Sequence, residues 1–226
     1  MAMNPQSGVP IEPESSCRRC PRLAEFRSEN ARAYPQFCNR PVPSFGQLTA
    51  ALLIVGLAPG LKGANRTGRP FTGDGAGDIL YPALLHFGFA SGRYQASAGD
   101  GLQLSNARIT NAVRCVPPGN KPLPIEIRTC GSFLGAEVAA MPRLRAILAL
   151  GRVAHEATLR VFGQSLKVHP FAHDARHEIT SEFGSGIGRV SLYDSYHCSR
   201  YNLNTGVLTR AMFYAVLARI ESDLHA

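Results

Sequence analysis

The runs "AALLIVG" (residues 50–56) and "LRAILALG" (residues 144–151) constrain this chain most. Neither alternates polar with apolar residues, so neither reads as a strand with one wet face. Continuous apolarity of this kind belongs to strands buried on both sides, as in a parallel sheet layered between helices. "ARITNAV" and "GRVSLYDSYH" supply two further strands. Helical patterns fall between them: Pro21–Arg32, Gly77–Phe89, Ile125–Met141 entered through "KPLP", "RVAHEATLRVFG" ending at Gly163, and a last helix from about Gly206 to Leu224 with Thr205 as its cap. The alternation predicts a three-layer α/β/α fold around a central, mostly parallel four-stranded sheet. At 226 residues the chain fills one core, so a single domain over 1–226 is expected, with 1–16 a flexible tail.

Sheets of this type hold their sites beyond the carboxyl ends of the strands. Three of the four strand ends here run into polar stretches, and the chemistry is sought there. The first is "GLAPGLKGANRTGRPFTGD", residues 56–74. A phosphate-binding P-loop needs Lys followed by Ser or Thr, but Lys62 precedes Gly63, and the G-x-G-x-x-G dinucleotide pattern is missing as well. What remains is a loop whose glycines bring backbone N–H groups near a ligand, followed by Phe71 and Asp74. That suits a flat ring stacked on Phe71 and a water held by Asp74. Taken singly, Phe71 reads as a core residue and Asp74 as a helix cap. The stretch "SYHCSRYNLNTG", residues 195–206, places His197 just past another strand.

The cysteines carry the most specific spacing. Cys17 and Cys20 form C-x2-C, while Cys115 and Cys130 lie far downstream with fourteen residues between them. Four thiolates from two distant segments can close a tetrahedral site, for zinc or for a [4Fe-4S] cluster, and the spacing accepts both. Cys38 and Cys198 lack such partners and read as free thiols. No apolar stretch is long enough for a bilayer, and "MAMNPQSGVPIEPESS" lacks the apolar segment of an export signal. A cytoplasmic protein with no membrane partner is expected, and in that compartment thiols bind metal or catalyse rather than form disulfides. The balance of 24 Lys+Arg against 16 Asp+Glu gives +8, an excess made mostly of Arg. It points toward phosphates without establishing nucleic acid as the partner, since an ordinary basic surface has the same composition.

Taken together, the ordered motifs "CRRCPRL", "NRPVPSFG", "LLIVGLAPG…GANRTGRPFTGD", "TNAVRCVPPGNKPLP…TC" and "SYHCSRYNLNTG" resemble the uracil-DNA glycosylase superfamily, and within it the iron-sulfur branch called family 5. The resemblance covers nearly the whole chain. It implies a monofunctional enzyme that flips uracil out of DNA, hydrolyses its N-glycosidic bond and leaves an abasic site. His197, which matches the family's motif His, would hydrogen-bond the charge developing at uracil O2, helped by backbone N–H groups of the segment holding Gly56, Leu57 and Ala58. Asp74 would position the attacking water, Phe71 would stack on the base, and Asn120 corresponds to a family position near the substrate. Arg200, Tyr201 and Asn202 would lie in the loop that enters the duplex. Arg66, Arg69 and Arg114 are the expected phosphate contacts. Cys17, Cys20, Cys115 and Cys130 would hold a structural [4Fe-4S] cluster. The partner is uracil-containing DNA, and a monomer is expected.

Two departures from the family pattern stand out. Family 5 proteins usually carry Ala where this chain has Asn111, whereas the uracil-strict families carry Asn. An amide pairs with uracil O4 and N3–H together and loses one bond to a base bearing an amino group there, so narrower uracil selectivity is expected. Cys198 stands where the family motif has Pro, which frees an N–H and would loosen the loop that carries His197. The competing reading is a protein that binds or traps uracil-DNA or abasic DNA with little turnover. A zinc-stabilised DNA-binding module without a base pocket is another, and a nucleotide hydrolase is disfavoured by the missing Lys-Ser/Thr step.

Overall fold

In the computed structural model, which describes residues 11–180 and 188–225, the apolar runs form the centre of one sheet. Strands β2 (Leu52–Gly56), β5 (Ala107–Asn111) and β6 (Ala146–Leu150) are buried at every position. Together with β8 (Arg189–Ser195) they form a wholly parallel array in the order β5-β2-β6-β8. The four expected strands are therefore present, and two antiparallel edge strands are added to them. β1 (Phe45–Gly46) pairs with β5, and β7 (Arg176–Thr180) pairs with β8. Two residues are too few to carry a period, and β7 buries only Ile179, so neither edge strand leaves an apolar signal. A separate two-stranded ribbon joins β3 (Ala90–Ser91) to β4 (Gln103–Leu104).

Helices cover both faces. Ile54, Ile109, Leu148 and Tyr193 pack against α3 (Gly77–His86) and α7 (Arg210–His225). Leu53, Val55, Ile147 and Leu192 point the other way, onto α4 (Pro124–Ala139) and α5 (Arg152–Val161). The alternation along each strand gives the three layers their separate cores. α1 (Pro21–Ala33) and α4 both start at a proline, whose missing N–H costs nothing in a first turn. At α4 the Glu126 carboxylate also accepts the Leu123 N–H at 2.7 Å. A four-residue α2 (Ala64–Thr67) lies within the glycine-rich loop.

The last expected helix is corrected. A short α6 (Arg200–Asn204) comes first with Thr205 at its C-terminal end, Gly206 breaks it at φ +73°, and α7 begins only at Arg210. Thr209 supplies the cap through Oγ1, which accepts the Met212 N–H at 3.2 Å. Part of the segment 1–16 packs on the domain. Residues 1–10 lie outside the described residues, but Ile11 is buried and Glu12 is ion-paired to Arg108 and Arg114.

Candidate active site and thiol cluster

Parallel register sets Gly56 beside Asn111 at the carboxyl ends of β2 and β5. A Cβ on Gly56 would come within 2.4 Å of Asn111 Oδ1 and 2.5 Å of Phe71 Cζ. Only glycine lets an amide and an aromatic ring share that corner. Above it opens a cavity of about 510 Å³ lined by Leu57, Ala58, Phe71, Asp74, Asn111, Asn120 and His197, among others. Gly56 lies beneath the wall, and Leu57 and Ala58 form part of it. Asn120 sits exposed at the mouth, in a 3-10 turn over Pro118–Asn120.

Phe71 reaches the cavity from a backbone at φ +51°, a left-handed conformation that a bulky residue adopts only when its surroundings hold it there. Tyr81 Oη donates to Pro70 O at 2.6 Å, and Thr67 Oγ1 donates to Thr72 O at 2.9 Å. The Phe71 carbonyl lies so close to Gly77 that a Cβ there would stand 1.9 Å away. Three residues on, Asp74 directs its two carboxylate oxygens to different neighbours. Its Oδ1 accepts the Ala76 N–H at 3.2 Å near the start of α3, while Oδ2 faces the Gly63 α-carbon.

His197 stands past the end of β8 with its ring 6.0 Å from the Phe71 ring and 28° from parallel. Burial pushes its imidazole below the usual histidine value, against the opposing charge of Asp74, so the ring is neutral at pH 7. Its carbonyl accepts the Asn202 amide at 2.8 Å. Asn202 therefore braces the histidine loop instead of reaching outward. The Cys198 thiol is fully buried against the Ala76 carbonyl, 3.6 Å away, and burial pushes it up to about 12. The thiol ties the His197 loop to the Asp74 loop.

Arg66 is exposed, as are Arg200 and Tyr201, and Lys62 and Arg200 line the cavity mouth. Arg69 and Arg114 correct the expectation of phosphate contact. Arg69 is 4 % exposed, gripping both oxygens of Asp100 at 2.8 Å beside the rings of Phe45, Tyr81 and Tyr94. Arg114 is 1 % exposed and holds Glu12 and Glu137, each at 2.6 Å. Each guanidinium is consumed inside the protein, where no phosphate reaches. What the sequence reading missed are the spacers Gly63 and Gly77, visible only once the loop is folded back on itself, and Ser199, whose hydroxyl accepts the Asn202 N–H at 3.3 Å.

The two distant cysteine pairs meet. Cys17, Cys20, Cys115 and Cys130 line one small pocket with Leu23, Val113 and Phe133, and Ala58 packs against it from the wall of the larger cavity. Among the described residues no three of these Sγ atoms lie within 4.8 Å of one another. Tetrahedral zinc, with Zn–S near 2.3 Å, would hold its four sulfurs about 3.8 Å apart. An all-thiol donor set is one that an iron-sulfur group accepts. The Arg114 N–H donates to Cys130 Sγ at 3.3 Å, a bond suited to a thiolate ligand. Burial and mutual repulsion push the Cys20 thiol up to about 11 and burial pushes Cys115 up to about 12, so metal binding there must displace protons.

Comparison with known proteins supplies the family. The model for the uracil DNA glycosylase superfamily matches residues 43–221. A type-5 uracil-DNA glycosylase of Thermus thermophilus is 45% identical over 212 residues, covering 92% of this chain and 93% of that protein. One from Mycobacterium tuberculosis is 45% identical over 206 residues, 88% of this chain and 74% of its own. A type-4 uracil-DNA glycosylase of Pyrobaculum aerophilum is 31% identical over 150 residues, 66% of this chain and 62% of its own. With a matching family model over most of its length and relatives of this closeness, the chain belongs to the uracil DNA glycosylase superfamily.

Proposed function

We propose that this protein is a uracil-DNA glycosylase, a monofunctional hydrolase that removes uracil from DNA and leaves an abasic site. The observation that carries the reading is the placement of Asp74 and His197 on one cavity with Phe71 and Asn111. Leaving uracil takes electrons from the glycosidic bond, so negative charge grows on the base and positive charge on the sugar. A neutral His197 donates a hydrogen bond to the base oxygen, where a preorganised donor is worth most because the charge appears only in the transition state. Asp74 orients the attacking water and opposes the charge on the sugar. Phe71 stacks on the flipped ring, and the Asn111 amide pairs with its O4 and N3–H edge, which narrows the choice toward uracil.

Arg66, Arg200 and Tyr201 face the duplex around the mouth. Cys17, Cys20, Cys115 and Cys130 would hold a [4Fe-4S] cluster, which would tie the start of α1 to α4 and to the segment after β5. One chain carries every group of the cavity, and the protein acts as a cytoplasmic monomer.

Single-turnover incubation with duplex DNA carrying one uracil tests the reading. Release of free uracil by the unaltered protein, lowered about 10³-fold in Asp74→Ala, is the expected outcome. Tight retention of uracil DNA with no release would establish a binding or trapping protein in its place.

A further inference from the structure

Arg27 is a buried charge that no protein group among the described residues balances. It is 6 % exposed. Nη1 donates to Ser15 O at 3.0 Å and Nη2 to Cys17 O, both uncharged carbonyls, and Nε has no acceptor. Buried cations in folded proteins are paired, because taking a charge out of water without a partner is costly. The neighbouring guanidiniums obey that rule. Arg108 and Arg114 face Glu12 and Glu137, so cations and anions cancel there, and Arg22 pairs with Glu126. Arg19 is exposed, over the Phe133 ring.

The position of Arg27 says what its partner is. It follows Cys20 by seven residues on α1, two turns along the same face, with Leu23 between them lining the thiol pocket. Its Nη2 donates to the carbonyl of Cys17, another member of the thiol set.

We propose that Arg27 is the built-in counter-charge of the metal centre: a guanidinium that ligates nothing but balances the net negative charge of four thiolates and their cluster from the α1 side. The inference rests on the iron-sulfur reading above. A fixed cation at that place favours the more negative, reduced form of the cluster.

The test compares full-length wild type, Arg27→Gln and Arg27→Lys, each purified without oxygen. Iron per chain, the absorbance near 400 nm, its bleaching rate with a chelator in air, and the reduction potential are measured. Arg27→Gln is expected to shift the reduction equilibrium about tenfold toward the oxidised form, equivalent to about 59 mV for one electron, and to bleach several-fold faster. Arg27→Lys, which keeps the charge and changes the hydrogen bonds, should stay near wild type in potential. A glutamine variant with wild-type potential and bleaching rate overturns the proposal, and so does a lysine variant that behaves like glutamine, since hydrogen bonds and not charge would then be the cause. If Arg27→Gln fails to fold, Arg27→Met takes its place beside the lysine variant on the same terms. A wild-type chain that takes up no iron even on reconstitution removes the iron-sulfur reading itself, an outcome distinct from the others.

Discussion

The Asp74 carboxylate rests against the backbone of Gly63, where a Cβ would stand 2.2 Å from Oδ2 and 2.8 Å from Cγ. The acid is aimed by a missing side chain. Gly63→Ala should therefore displace Asp74 without changing any reacting group. Misplacing a catalytic group by about 1 Å costs on the order of 10²-fold in rate. Single-turnover uracil release should fall by about that factor while affinity for uracil DNA stays within a few-fold, and an unchanged rate would count against Asp74 as the water-positioning acid.

Asn111 offers the second test. Its amide lies 3 % exposed on the cavity, against Gly56 and Phe71. Asn111→Ala removes the paired hydrogen bonds proposed for uracil, a loss of about 1–3 kcal/mol, and should lower uracil release about 10- to 100-fold. Hypoxanthine release, measured beside it, should rise. Unchanged uracil removal with no gain on hypoxanthine would leave Asn111 a structural amide only.

Arg66 and Arg69 are neighbours in sequence with opposite fates, and salt separates them. Arg69→Ala abandons a buried Asp100 and should cost about 3–5 kcal/mol of stability in urea unfolding, with the salt dependence of DNA binding unaltered. Arg66→Ala should leave stability within about 0.5 kcal/mol and reduce the slope of log K against log salt by about 0.9, the contribution of one phosphate contact. A changed slope in the Arg69 variant's folded fraction would return that residue to the DNA surface.

The same two arginines mark how far the sequence could be read. The parallel sheet, its four central strands and the meeting of the two cysteine pairs were legible, because buried strands and metal spacing leave direct marks in composition and interval. Asp74, Phe71 and His197 were legible as members of a motif. The fate of an arginine was not, since "NRTGRP" reads alike whether its guanidinium faces water or an aspartate thirty-one residues away. Nor could spacing show that Cys198 would fill the proline position as a buried tie to Ala76, or that Gly206 would split the last helix. Such features depend on which distant segment arrives opposite, and local pattern does not encode that.

His155 and Asp194 give a prediction for pH. Nδ1 of His155 lies 2.7 Å from the buried Asp194 carboxylate, and Nε2 lies 2.9 Å from the His169 carbonyl. Both partners accept hydrogen bonds, an arrangement that favours protons on both ring nitrogens. Burial alone would lower its pKa, but the hydrogen bond and charge of Asp194 outweigh it and the net shift is upward from 6.5. A folded value above the unfolded one means that the pair's contribution is complete below pH 6.5 and fades as pH rises through the folded value. His169 and His173, pushed downward by burial, give the opposite slope, so the comparison is wild type minus His155→Gln. Asp194 also takes His177 Nε2 at 3.2 Å, which softens the loss. The stability difference, about 3 kcal/mol at pH 6 from urea unfolding, should shrink steadily toward alkaline pH. A difference constant from pH 6 to 9 would mean that His155 is neutral in the folded protein.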